Sequence, residues 1–141
     1  MSRIDEIVFM ALCLWREARG ESEEAKIGVG MCILNRAARP SWWGTNIMEV
    51  IFKKWQFSSL TDPNDKQLTL WPKENNPAWE SCLILSEKIL KGDYEHPAPG
   101  ADSYHDVSIP APYWAKPEQF VGQIGRLRFF NTDNDHEMTK A

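Results

Sequence analysis

The sequence predicts a single mainly α-helical domain of α+β type, spanning residues 1-141, with a few short β-strands toward its C-terminal end. Three observations carry this. Three long segments in the first 92 residues combine helical apolar spacing with start and stop signals. From Asp93 onward Pro and Gly are frequent, and only Tyr104-His105 and "LRFF" (127–130) keep the composition of short strands. A chain of 141 residues, 43% hydrophobic and 26% charged, is long enough to bury one sizeable core and has no linker, repeat or low-complexity tract that would divide it.

The elements follow in order. Ser2 with Asp5 makes a capping-box start for a first helix, on which Ile4, Val8, Ala11, Trp15 and Ala18 share an apolar face. Gly20 ends it, with Arg16 and Arg19 near its negative dipole end. Ser22 caps a second helix, "EEAKIGVGMCILNRAAR", with Glu23 and Glu24 in its first turn and Pro40 beyond its end. This helix is apolar on nearly every side, as a buried central element is. Gly28 and Gly30 weaken it, and close approach of another element's backbone would explain both. Asn46 with Glu49 opens a short helix, "IMEVIFKK". "WQFSSL" has the composition of a strand or extended segment, and residues 61–76 form a long polar loop of the kind that often binds ligands. Asn76-Pro77 starts a last helix and Gly92 stops it.

Composition excludes several classes of function. A net charge of −4 offers no strong general attraction to nucleic acid, and no apolar run is long enough to span a membrane. Cys13, Cys32 and Cys82 each lie in a helix-like apolar run, so buried free thiols in a reducing compartment are expected rather than a disulfide framework. The N-terminal stretch lacks the cleavage site of a signal peptide. His96, His105 and His136 show no close paired spacing, so neither a metal nor another cofactor is expected. Seven Trp are a surplus, and exposed Trp is one way proteins stack on sugar rings.

The chemically suggestive residue is Glu17, in "LWREARGES". It lies off the main apolar face but in line with Met10 and Cys13, so a second apolar stripe ends at a carboxyl. A carboxyl in a partly apolar pocket is harder to ionise, which suits a general acid near neutral pH. An ordinary salt bridge to Arg16, Arg19 or a distant cation accounts for the same pattern.

Four blocks in order bear on that choice. "EARGESEEAKIGVGMCILNRA" (17–37), "QFSSLTD" (56–62), "GADSYH" (100–105) and "IGRLRFF" (124–130) resemble conserved blocks of the SleB-type cell-wall hydrolases, the spore-cortex lytic enzyme family. The resemblance implies a lysozyme-like fold, cleavage of peptidoglycan glycan strands, and Glu17 as the catalytic acid. Residues in the other blocks are candidates for substrate binding, each with a structural alternative. Gln56 is placed to hold an N-acetyl carbonyl or to cap its loop, and Phe57 beside it is more often a core residue. Tyr104 either places its hydroxyl near the cleaved bond or is a half-buried strand residue, and His105 either orients substrate or bonds backbone. Among loop tryptophans, Trp43 and Trp114 are candidate stacking platforms, with Trp42 and Trp71 in similar settings. Leu127-Arg128 departs from the family, which commonly has a His before the final Phe. With neither signal peptide nor wall-binding repeat in view, a phage or prophage lysis enzyme is expected: a monomer made in the cytoplasm and acting on the wall after release.

Glycosidic cleavage by hydrolysis normally uses a second carboxylate. At the position where muramidases of the phage type carry Asp or Cys, this chain has Lys26, and Glu21 is the remaining candidate for a second carboxylate. A lytic transglycosylase needs none, because the sugar's own 6-hydroxyl attacks and one Glu serves as acid and then base. The rival readings are a zinc-dependent N-acetylmuramoyl-L-alanine amidase and a non-catalytic wall-binding module.

Overall fold

The computed structural model describes residues 2–39, 43–53, 57–95 and 97–132. Helix α1 (Arg3–Ala18) begins at the capping box the sequence announces: the Ser2 hydroxyl accepts from the Asp5 N–H and the Asp5 carboxylate accepts from the Ser2 N–H. Its expected apolar face holds only in part. Ile4 is 72% exposed and Val8 is exposed too, whereas Met10–Arg16 is buried around the whole helix. The reason is placement. Helix α1 enters the core only at its third turn, and from there contacts four other helices.

Those neighbours are α2 (Glu23–Ala38), α3 (Ile47–Phe52), α4 (Ser58–Thr61) and α5 (Pro77–Lys91). The Ser22 hydroxyl caps α2, Asn46 caps α3, and Asn76 caps α5, which ends at Gly92 in the left-handed conformation, all as their sequences predict. The two glycines of α2 do mark close approach, but by side chains rather than backbone. A Cβ on Gly28 would meet the Phe129 ring at 2.5 Å, and one on Gly30 would meet Ile89 at 2.7 Å. The segment expected to be extended forms the single helical turn α4 instead. Phe57 is anchored in the core just before it, and the Asp62 N–H closes the turn on the Ser58 carbonyl.

A small antiparallel sheet completes the domain: β1 (Ser103–Asp106), β2 (Phe120–Ile124) and β3 (Leu127–Phe130), in the order β1-β3-β2. Tyr104 pairs with Phe129 and His105 with Arg128. Because side chains alternate across a strand, Tyr104 and Phe129 share the face toward α2, while His105 and Phe130 belong to the other face. Phe129 joins α1, α2 and α5 residues in one hydrophobic core. No helix among the described residues is long and apolar enough to cross a membrane.

A candidate carboxylate cleft

Glu17 projects from the last turn of α1. Its stripe partners Met10 and Cys13 are fully buried, and Glu17 itself is partly buried. The Tyr104 phenol, 87 positions along the chain, donates to Glu17 Oε1 at 2.9 Å. Tyr104 packs on Phe129, with ring centroids 5.9 Å apart. Burial, and then the neighbouring Glu17 charge, push the phenol's pKa well up, so it stays protonated and remains a donor at neutral pH.

The salt-bridge account of Glu17 fails on the directions its arginines take. Arg16 donates from Nη1 to the Ser59 carbonyl at 3.0 Å and from Nε to the Leu70 carbonyl at 3.1 Å. Arg19 donates to the Trp15 carbonyl at 3.0 Å and to Gln67 Oε1 at 2.7 Å, with its guanidinium over the Trp15 ring. Among the described residues no cation lies within ion-pair distance of Glu17, and Oε2 has no hydrogen-bond partner. The two arginines instead tie the segment 58–70 to the helix turn that carries the acid.

An open cleft lies over this turn. Residues 16–21 form its floor, Gln67 one wall and Arg126 the other. Arg126, in the tight turn between β2 and β3, pairs with Asp106 at 3.0 Å. The Asp106 carboxyl is held below its usual pKa, first by the Ser108 N–H and then by Arg126. Glu21 lines the same cleft, its Oε2 lying 3.5 Å from where a Cβ on Gly125 would sit. Glu17, Tyr104 and Glu21 are thus brought together.

The other sequence candidates are not. Gln56, like Trp42, lies outside the described residues. Phe57 is 1% exposed and packs beneath the Arg36 guanidinium as a core residue, not a sugar contact. Trp43 is likewise 1% exposed, with its indole N–H donated to the Arg39 carbonyl, so no glycan can reach its face. His105 is buried on the sheet face away from Tyr104, stacked on Phe130 at 5.6 Å. Trp114 packs edge-on against both of those rings. Strand alternation separates this pair from Glu17. Gln67 and Arg126 were not singled out from the sequence, where a loop Gln and a turn Arg carry no signal. Among the described residues no three His, Cys, Asp or Glu converge as metal ligands.

The chain is a mainly α domain with a small antiparallel sheet, in which a sheet tyrosine holds a helix-end carboxylate in an open cleft, and its fold is the lysozyme-like one that the sequence resemblance implies. The chain belongs to the cell wall hydrolase family, whose model matches residues 20–130, and it is accordingly a cell-wall-degrading enzyme. The matched stretch starts just after Glu17. The catalytic domain of the germination-specific lytic transglycosylase SleB from Bacillus anthracis shares this fold, with a TM-score of 0.71 over 92% of this chain and 96% of that one at 23% identity. No curated protein sequence matches the chain.

Proposed function

We propose that the protein cleaves peptidoglycan glycan strands as a lytic transglycosylase, with Glu17 as the single acid and base. The observation that carries the proposal is the Tyr104 hydrogen bond to Glu17 Oε1 in the open cleft. With Oε1 occupied, Oε2 is the oxygen that holds the transferable proton. It protonates the glycosidic oxygen as the bond to the sugar's C1 breaks, and charge builds up on an oxocarbenium-like ring. The resulting carboxylate keeps its Tyr104 hydrogen bond and removes the proton from the sugar's 6-hydroxyl as that oxygen closes on C1. One group then serves both half-reactions, and the anhydro ring replaces the water of a hydrolase. The SleB domain that shares the fold is named as a lytic transglycosylase, which supports the same outcome.

Glu21, in the same cleft, favours a second reading, hydrolysis with Glu21 activating water. Mass spectrometry of digested sacculi separates the two: anhydro ends support transglycosylation, new reducing ends support hydrolysis, and released peptides would refute both. Glu17→Gln keeps the side chain's shape but cannot donate the proton, and loss of a positioned general acid costs on the order of 10²–10⁴ in rate. Full clearing of peptidoglycan by that variant would remove the assignment. A role in phage lysis belongs to the same proposal, and purified protein should clear bacterial cells once their membranes are permeabilised.

A further inference from the structure

Among the described tryptophans, Trp15 and Trp43 are core and Trp79 and Trp114 are partly covered, but Trp71 is 64% exposed. It is not a loose surface residue. The Arg16 guanidinium lies over its ring, 4.8 Å from the centroid. The preceding residue, Leu70, is fixed through its carbonyl to Arg16 Nε. The loop is pinned again where Gln67 accepts from Arg19. Arg16 is itself 6% exposed and held by the Ser59 carbonyl, so the indole rests on a rigid support. That support is the residue next to Glu17 and part of the same cleft floor.

We propose that Trp71, backed by Arg16, is a stacking platform for an N-acetylhexosamine ring of the glycan strand lying along the Glu17 cleft. The proposal rests on the glycan-cleaving function and names a subsite for it. An exposed indole keeps a large apolar face in water, and the apolar face of a pyranose covers it without burying an unpaired polar group. Two side-chain torsions already restrained by Arg16 mean that little conformational entropy remains to be lost on binding. Gln67, four residues before Trp71 on the same loop, lines the cleft, and Arg16 both lines the cleft and lies over the indole, so the platform adjoins the cleft that holds the acid.

The test uses the Glu17→Gln protein, which binds without cutting, and soluble peptidoglycan glycan strands stripped of their peptides. Titration calorimetry gives the affinity and melting temperature controls for folding, which an exposed side chain should leave unchanged. Adding Trp71→Ala should weaken binding about tenfold, the loss of one aromatic contact, while Trp71→Phe, which keeps a π face, should stay within about threefold. In the Glu17 protein, Trp71→Ala should raise KM more than it lowers kcat. Unchanged affinity in Trp71→Ala, with the parent still binding strands, overturns the platform and leaves the glycan-cleaving function standing. A parent that binds no strands overturns the platform together with glycan as the ligand of this cleft, and a Glu17→Gln protein that still clears peptidoglycan overturns Glu17 as the acid and with it the platform's placement beside the acid.

Discussion

Gly28 sits on α2, away from the cleft, yet its replacement by Ala should disturb the chemistry. The added methyl carbon would lie 2.5 Å from Phe129 Cζ and 2.8 Å from Cε1, where ordinary contact begins at 3.4 Å. Cζ lies on the axis about which the ring turns, so rotation cannot remove the clash, and the ring must retreat by about 1 Å. Phe129 is fully buried in the middle strand of the sheet and pairs in register with Tyr104. The retreat therefore reaches the phenol that holds Glu17. Overpacking costs about 1–3 kcal/mol, and the better helix propensity of Ala returns about 1 kcal/mol. The melting temperature should fall by no more than roughly 8 °C for a chain of this size. Activity should suffer more, because a displacement near 1 Å at a catalytic group costs on the order of 10²-fold. Gly30→Ala is the control. Its Cβ meets Ile89 Cδ1, the far end of a flexible side chain on α5 that can turn aside. Peptidoglycan clearing and melting temperature would be measured for both. A Gly28→Ala enzyme within twofold of the parent, or equal losses in the two variants, would refute the coupling from α2 through the sheet to the acid.

Tyr104→Phe keeps the packing on Phe129 but removes the donor to Glu17. A hydrogen bond to a charged partner contributes about 1.5–3 kcal/mol, so kcat/KM should fall roughly 10- to 100-fold, and unaltered kinetics would contradict the role given to the phenol. Glu21→Gln should lower the rate less than about threefold and leave anhydro products unchanged if one carboxylate suffices; a collapse equal to that of Glu17→Gln would establish the two-carboxylate hydrolase. The three thiols are free and buried, so the native protein should resist rapid labelling at about pH 8, and fast modification would contradict their burial. Burial raises all three thiol pKa values above 9.0, Cys32 to about 12. Above that reference the unfolded chain sheds thiol protons first and binds fewer than the native one, so stability should fall as pH rises from about 9 to about 12. Urea midpoints that decline in this window, less steeply in Cys32→Ala, are the expected result; identical slopes would count against it.

Much of the helical framework was legible because caps are local. Ser2 with Asp5, Ser22, Asn46, Asn76 and Gly92 act within three or four residues of themselves. The half-buried setting of Glu17 was legible for a similar reason, since the Met10–Cys13 stripe is a property of one helix. Strand β2 was not, because an edge strand with Gly122, Gln123 and a register shift has no clear alternation. The exposed Ile4 and Val8 show the limit of a helical wheel, which finds a face but not whether anything packs on it. Phe57, Trp43, His105 and Trp114 were misplaced for the same physical reason. Whether an aromatic ring is covered depends on distant elements: Arg36 lies over Phe57, and Phe130 and Trp114 cover the His105 ring; that His105 leaves the face of Tyr104 was legible, because neighbours on a strand alternate. The clasp of Gln67 by Arg19, 48 positions apart, has no sequence signature at all.

The order of the strands bears on when a living cell meets this activity. Strand β1 hydrogen-bonds not to the next strand in sequence but to β3, the last of the three. Tyr104 therefore reaches its final position only once residues 127–130 have emerged from the ribosome and joined the sheet. Domains acquire structure as units, and contacts between distant segments form late because loop closure must come first. A nascent chain, though it exposes Glu17 early, has no assembled clasp around it. Translation itself thus delays assembly of the Glu17–Tyr104 pair until residues 127–130 have been made.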